Sequence, residues 1–209
     1  MNWLEHVARW KDCTKCPLGH QRFRICLAKG VVPCDALFVG EAPGQSEDAT
    51  GEVFNGPAGD KLEQVIERAL SSEVRRAYTN LVCCYPREAK MRGDNEPEHE
   101  EILACTSRLV EFANIAQPRL VVCVGALSTL YVKKVYAGPR VDILHPAFIL
   151  ARLPQAQKGM ALNKCVVQIR SAWLEVESSN NITKWEDRDA GIKTQRGASA
   201  TPILDSIPF

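Results

Sequence analysis

Asp35-Ala36-Leu37-Phe38-Val39-Gly40-Glu41-Ala42-Pro43-Gly44 joins a short apolar run to a loop rich in glycine and acid. The run from Asp35 to Val39 is bounded by turn residues and reads as a buried strand. Beyond the loop, Gly59 to Leu70 reads as a helix carrying Leu62, Val65, Ile66 and Leu70 on one face. Between strand and helix stand five glycines, two prolines, four carboxylates and Phe54. In α/β proteins, ligands bind at such strand-to-helix loops, along the carboxyl edge of the sheet. The glycine spacing fits neither the dinucleotide fingerprint nor the phosphate loop, which requires Gly-Lys-Ser/Thr. Four acids would also repel a phosphate, so a flat, neutral guest suits the loop better.

Outward from this unit, strands and helices alternate. Residues 2–12 form an amphipathic helix with Trp3, Val7 and Trp10 on one side, followed by a cysteine- and turn-rich segment to about residue 34. Ala77–Cys83 is a second strand, Arg119–Gly125 a third and Val141–Leu144 a fourth. Helices are expected from Glu98 to about Ala116, from Ala126, and from about Gly159 to Glu177, with a loop over 87–97. This alternation predicts an α/β three-layer sandwich: a central four-stranded parallel sheet with helices on both faces. Residues 1–177 form one domain, and 178–209, polar and aperiodic, a disordered tail.

Composition narrows the class. The 209 residues carry a net charge of +1, so the chain as a whole is not a basic nucleic-acid binder. Locally, however, Lys133, Lys134, Arg140, Arg152, Lys158, Lys164 and Arg170 face only Asp142, a density that can pair with phosphates. No run approaches the roughly 18 apolar residues of a membrane span. The N-terminus lacks a secretory profile, which predicts a cytoplasmic protein in which stable disulfides are unfavourable. Nine cysteines are then unusual. Cys123 and Cys165 sit in apolar patterns and suit a core, whereas Cys13-x-x-Cys16 has ligand spacing.

The residues just after strands one, two and four meet on one rim of a parallel sheet: Gly40-Glu41 with its loop, Asn80 and His145. An aromatic face, an amide, an imidazole, backbone N–H groups and carboxylates together match a planar heterocycle bearing carbonyls and an N–H. In this order and setting, Gly40-Glu41-Ala42-Pro43-Gly44, Glu47-Asp48, Phe54-Asn55-Gly56-Pro57-Ala58-Gly59, Asn80-Leu81-Val82, Val124-Gly125-Ala126 and His145-Pro146-Ala147-Phe148-Ile149-Leu150 resemble the uracil-DNA glycosylase superfamily. With Cys13, Cys16-Pro17-Leu18, Cys84 and Cys105, the likeness is to its iron–sulfur branch, family 4, over about residues 10–175.

That resemblance implies a base-flipping enzyme of DNA repair, monomeric and nucleoid-associated, acting on uracil in single- or double-stranded DNA. It implies a [4Fe–4S] cluster on Cys13, Cys16, Cys84 and Cys105; zinc is the other occupant that four cysteines permit. Cys83, expected by strand alternation to point away from Cys84, is left unassigned. Phe54 would stack on the base, Gly40 and Asn80 would bind it, and His145 would stabilise its developing anion. Glu41 or Glu47 would orient the water, and Ile149 or Leu150 would wedge into the vacated stack. The sequence departs from the family where Cys84-Tyr85-Pro86-Arg87 replaces the usual Cys-Arg-Pro-Pro. A modified pyrimidine as substrate, or a non-catalytic DNA-binding module, are the alternatives.

Overall fold

A computed structural model describes residues 1–87, 96–179 and 201–203. In chain order the elements are α1 (Trp3–Trp10), α2 (Leu18–Gln21), β1 (Lys29–Val32), β2 (Ala36–Gly40), α3 (Gln45–Thr50), α4 (Pro57–Ala69), β3 (Arg76–Asn80), α5 (His99–Ala116), β4 (Leu120–Val124), α6 (Ala126–Val135), β5 (Arg140–Ile143), α7 (Pro146–Arg152), α8 (Gln155–Ser178) and β6 (Thr201–Ile203). No helix among the described residues is long and apolar enough to cross a membrane.

The sheet runs β5-β4-β2-β3-β1-β6. Its four middle-to-edge strands β5, β4, β2 and β3 are mutually parallel, and these are the four expected from sequence. The sheet as a whole is mixed, not purely parallel: β1 runs antiparallel to β3, and β6 antiparallel to β1. Lys29-Gly30-Val31-Val32 shows no clean alternation and contains a glycine, so its strand character comes from pairing with β3 and not from propensity. Within the stretch read as a tail, Ser178 ends α8 and residues 201–203 form β6. Residues 180–200 and 204–209, like most of the 87–97 loop, lie outside the described residues.

Strand alternation divides the interior into two cores. Leu37, Val39, Ala77, Val121 and Cys123 face one layer with Trp3, Trp10, Ile102, Leu109, Phe112 and Val132, which come from α1, α5 and α6. Phe38, Tyr78, Val122 and Val124 face the other with Leu62, Ile66, Ile149, Ile169 and Trp173, from α4, α7 and α8. All five β2 residues and all five β4 residues are buried, as a sheet covered on both faces requires.

The N-terminal segment is fastened to the second half of the domain through α1. Asn2 and Glu5 form a reciprocal capping box. Glu111 on α5 then accepts from Trp10 Nε1 at 2.8 Å and Arg9 Nη1 at 2.8 Å, and contacts His6 Nδ1 at 2.7 Å. His6 therefore joins Trp3 and Trp10 in the buried stripe, with the expected Val7 partly buried against the same core.

Candidate active site

A cavity of about 550 Å³ opens at the carboxyl edge of the sheet, where the chain leaves β2, β3 and β5. Phe54, Asn80, His145, Glu41 and Glu47 all line it. The geometric condition set by the sequence is thus met: the three side chains expected to share one ring border one space.

Their juxtaposition begins with strand register. Gly40 and Asn80 are directly paired across β2 and β3. A Cβ at Gly40 would overlap Asn80 Oδ1 and stand 2.7 Å from Phe54 Cζ. Glycine is therefore the residue that lets the amide and the ring approach each other here. Phe54 itself has φ 53°, a conformation that costs a non-glycine residue energy and is found where surroundings over-determine it. Lys29 Nζ donates to the Phe54 carbonyl at 3.3 Å, and the Tyr78 ring meets the Phe54 ring edge-on with centroids 6.0 Å apart. The antiparallel strand missed by periodicity thus supplies a support for the aromatic face.

His145 is the residue before α7, and its Nδ1 accepts from the Ala147 N–H at 3.1 Å. An acceptor at Nδ1 places the proton of the neutral ring on Nε2, so the imidazole is a donor from that nitrogen. Burial lowers its pKa to about 4, which keeps the ring neutral near pH 7.

The two carboxylates are each half engaged. Glu41 Oε1 accepts from Leu127 N at 3.0 Å in the first turn of α6. Gly125, at φ +104°, permits this approach, since a Cβ there would overlap the carboxylate. Glu47 Oε2 accepts from Gly44 N at 3.0 Å, at the start of α3. Burial raises the pKa of both above the ordinary glutamate value. Among the described residues, the second oxygen of each has no hydrogen-bond partner.

Cys13, Cys16, Cys84 and Cys105 line a second, small and mainly apolar cavity together with Arg108. Among the described residues, no three His, Cys, Asp or Glu side chains converge on a single metal-ion position. The cysteines ring a space instead of meeting at a point. Cys83 lines the same space, contrary to the expectation from alternation. The reason is that β3 ends at Asn80, so the two-residue side-chain period no longer applies three residues later.

A family model described as the uracil DNA glycosylase superfamily matches residues 30–169, more than half of the chain. The chain belongs to the uracil DNA glycosylase superfamily. Type-4 uracil-DNA glycosylases of Sulfurisphaera tokodaii and Saccharolobus solfataricus are 36% and 34% identical to it over 122 and 125 residues. These matches cover 58% and 59% of this chain, and 53% and 56% of those proteins. The chain therefore spans little more than half the length of these relatives in the match. The type-4 uracil-DNA glycosylase of Thermotoga maritima is 30% identical over 161 residues, 68% of this chain and 80% of that protein.

The superfamily match contains Gly40, Phe54, Asn80 and His145 but begins after Cys13 and Cys16. Among the other residues at the cavity are two aromatic side chains to which the sequence assigned no role. Phe148, 47% exposed, and Tyr85 both line it. Ile149, one of the two expected wedges, is fully buried in the core. The helical turn that follows His145 carries the signal: in α7, successive residues rotate by about 100°, so only part of the apolar run faces out.

Proposed function

We propose that this chain is a DNA glycosylase that hydrolyses the N-glycosidic bond of uracil in DNA and so opens base excision repair. The observation that carries the reading is the single cavity bordered by Phe54, Asn80 and His145, with the imidazole held as an Nε2–H donor. The names of the relatives support the same reading.

A base inside a duplex is out of reach, so the nucleotide is flipped into the cavity and read there. Phe54 stacks on the ring. Asn80 donates from its amide nitrogen to O4 and accepts from N3–H; cytosine presents the reverse pattern and is disfavoured. As the C1′–N1 bond breaks, its electron pair leaves with the base and collects on O2, where His145 Nε2–H donates. Donors of this kind are typically worth on the order of 100–1000-fold in rate. Water adds to C1′ of the cationic sugar. The free oxygen of Glu41 or Glu47 orients that water, and the carboxylate charge favours the cation. Phe148 or the half-buried Leu150 fills the gap left in the base stack, in place of the buried Ile149. Arg152, exposed at the rim of the cavity, and the exposed Arg140 and Lys164 pair with phosphates of either a single or a double strand. The protein acts as a monomer in the cytoplasm, at the nucleoid.

Cys13, Cys16, Cys84 and Cys105 would hold a [4Fe–4S] cluster. Two features favour this fit. The four sulfurs surround a space, as a multi-iron group needs, whereas zinc requires all four at one atom. Beside them Arg108 Nε is buried without a partner, a donor suited to an anionic group. Such a cluster would supply a cross-link between the N-terminal segment and the β3–α5 region, and no electron is needed for the hydrolysis.

The deciding experiment is a base-release assay on oligonucleotides containing uracil, cytosine and modified pyrimidines, with iron and zinc measured on the same anaerobic preparation. Uracil release that is abolished in Asn80→Ala and His145→Ala is expected. Release of another base with uracil left intact would move the substrate to a modified pyrimidine. Binding without any release would leave a DNA-binding module.

A further inference from the structure

Arg108 is 1% exposed and, among the described residues, makes no ion pair with a carboxylate. A buried guanidinium without counter-charge is costly, so its surroundings should explain it. On one side its partners are neutral: Nη1 donates to Thr79 Oγ1 at 2.7 Å, and Nη2 to the carbonyls of Asn80 at 2.5 Å and Leu81 at 3.0 Å. On the other side it stands one helical turn from Cys105 and borders the cysteine-lined cavity. Its Nε, also buried, has no partner.

We infer that Arg108 is a positioning residue that ties the thiolate-bound group to Asn80, so that the cross-link in the N-terminal half sets the amide that reads the base. This rests on the proposed function, both its cluster and its base-reading role for Asn80. The guanidinium fork suits the task because it holds a hydroxyl and two adjacent carbonyls from one rigid plane, with its remaining N–H left over beside the cysteine-lined cavity. It clasps the chain where β3 ends, so the backbone that presents the Asn80 side chain is held from the cluster side. Its positive charge also makes the reduced, more negative cluster more favourable.

The test uses the intact, iron-loaded protein with Arg108→Met and Arg108→Lys. In Arg108→Met, the cluster's reduction potential falls, kcat for uracil falls about 100-fold through misplacement of the amide, and KM changes little. In Arg108→Lys, the charge remains and the potential stays near that of the wild type, but the lost fork lowers kcat similarly. A potential unmoved in Arg108→Met, or kcat, KM and melting temperature falling in step in both variants, overturns the inference. The unaltered protein gives a reading that needs no variant. Nuclear magnetic resonance should find an Arg108 Nε–H that exchanges slowly with solvent and is shifted by the neighbouring iron. A freely exchanging, unshifted signal overturns the inference as well. A wild type that holds no iron sinks this inference and the proposed cofactor together. A loaded wild type that releases no uracil sinks the proposed activity, while the potential and the exchange reading still decide Arg108's link to the cluster.

Discussion

Two cavities lie on either side of the end of β3, and they are built differently. The larger, about 550 Å³, is bordered by side chains whose orientation is held by backbone groups: Ala147 N–H for His145, Leu127 N–H for Glu41, Gly44 N–H for Glu47. The smaller is bordered by Cys13, Cys16, Cys84 and Cys105, drawn from the N-terminal segment, the β3–α5 connection and α5 itself. On the proposed reading, removing a side chain from the first would remove chemistry and leave the scaffold, whereas removing one from the second would release part of the scaffold. A site that is positioned would thus stand against a site that does the positioning.

The largest expected effect tests that contrast directly. His145→Ala should lower kcat for uracil release on the order of 100–1000-fold with the melting temperature near that of the wild type. Cys84→Ser should instead lose iron and melt well below the wild type. Calorimetry and metal analysis alongside the release assay separate the two; a His145→Ala protein that melts like Cys84→Ser would erase the distinction. Next comes Gly40→Ala, whose new Cβ would push Asn80 and Phe54 apart. It should cost about 1–3 kcal/mol in urea unfolding and, since small misplacements in a site are magnified, about 100-fold in kcat/KM. Unchanged kinetics would mean that the amide and the ring need not meet.

Smaller again is Lys29→Met, which removes the 3.3 Å bond to the Phe54 carbonyl. A bond of this kind is worth about 1 kcal/mol, so kcat/KM should fall roughly fivefold. Two histidines have a pKa that burial lowers to about 4 from 6.5: His145 at the larger cavity and His6 on the buried face of α1. Both are neutral in the folded chain, while the unfolded chain takes up protons below pH 6.5. Their contribution is therefore fully present above pH 6.5 and is lost as the pH falls through about 4. Ring-proton titrations by nuclear magnetic resonance check this; a midpoint at the ordinary value for either ring would show it to be solvated. The smallest effect is expected from Lys164→Gln, which should reduce the slope of log binding constant against log salt by about 0.9 if the residue meets a phosphate.

The parallel part of the sheet was legible because burial on both faces leaves apolar runs such as Leu120-Val121-Val122 in the sequence. The rim residues were legible for a related reason: in a parallel sheet, the residue after each strand lands on the same edge, which brings Gly40, Asn80 and His145 together. The antiparallel β1 left no such trace. Three of its four residues are only half-buried, and its pairing with β3 is made across more than 40 residues of chain. Cys83 and Ile149 were misread at the points where a regular element stops or starts. There the direction of a side chain follows from the turn the backbone takes and not from its place in a repeat.

Taken alone, the sequence determined the strand–helix alternation, the two-sided core and the identity of the residues at the sheet's edge, because periods of 2 and about 3.6 are local properties. Only the tertiary structure decided how those residues are held. The proton on His145 Nε2, the clasp of Arg108 on Asn80 and the support of Phe54 by Lys29 all depend on backbone groups and chain segments distant in sequence or on the geometry of a helix end. Hydrogen bonds of that kind are made by folding, and no spacing in the chain encodes them.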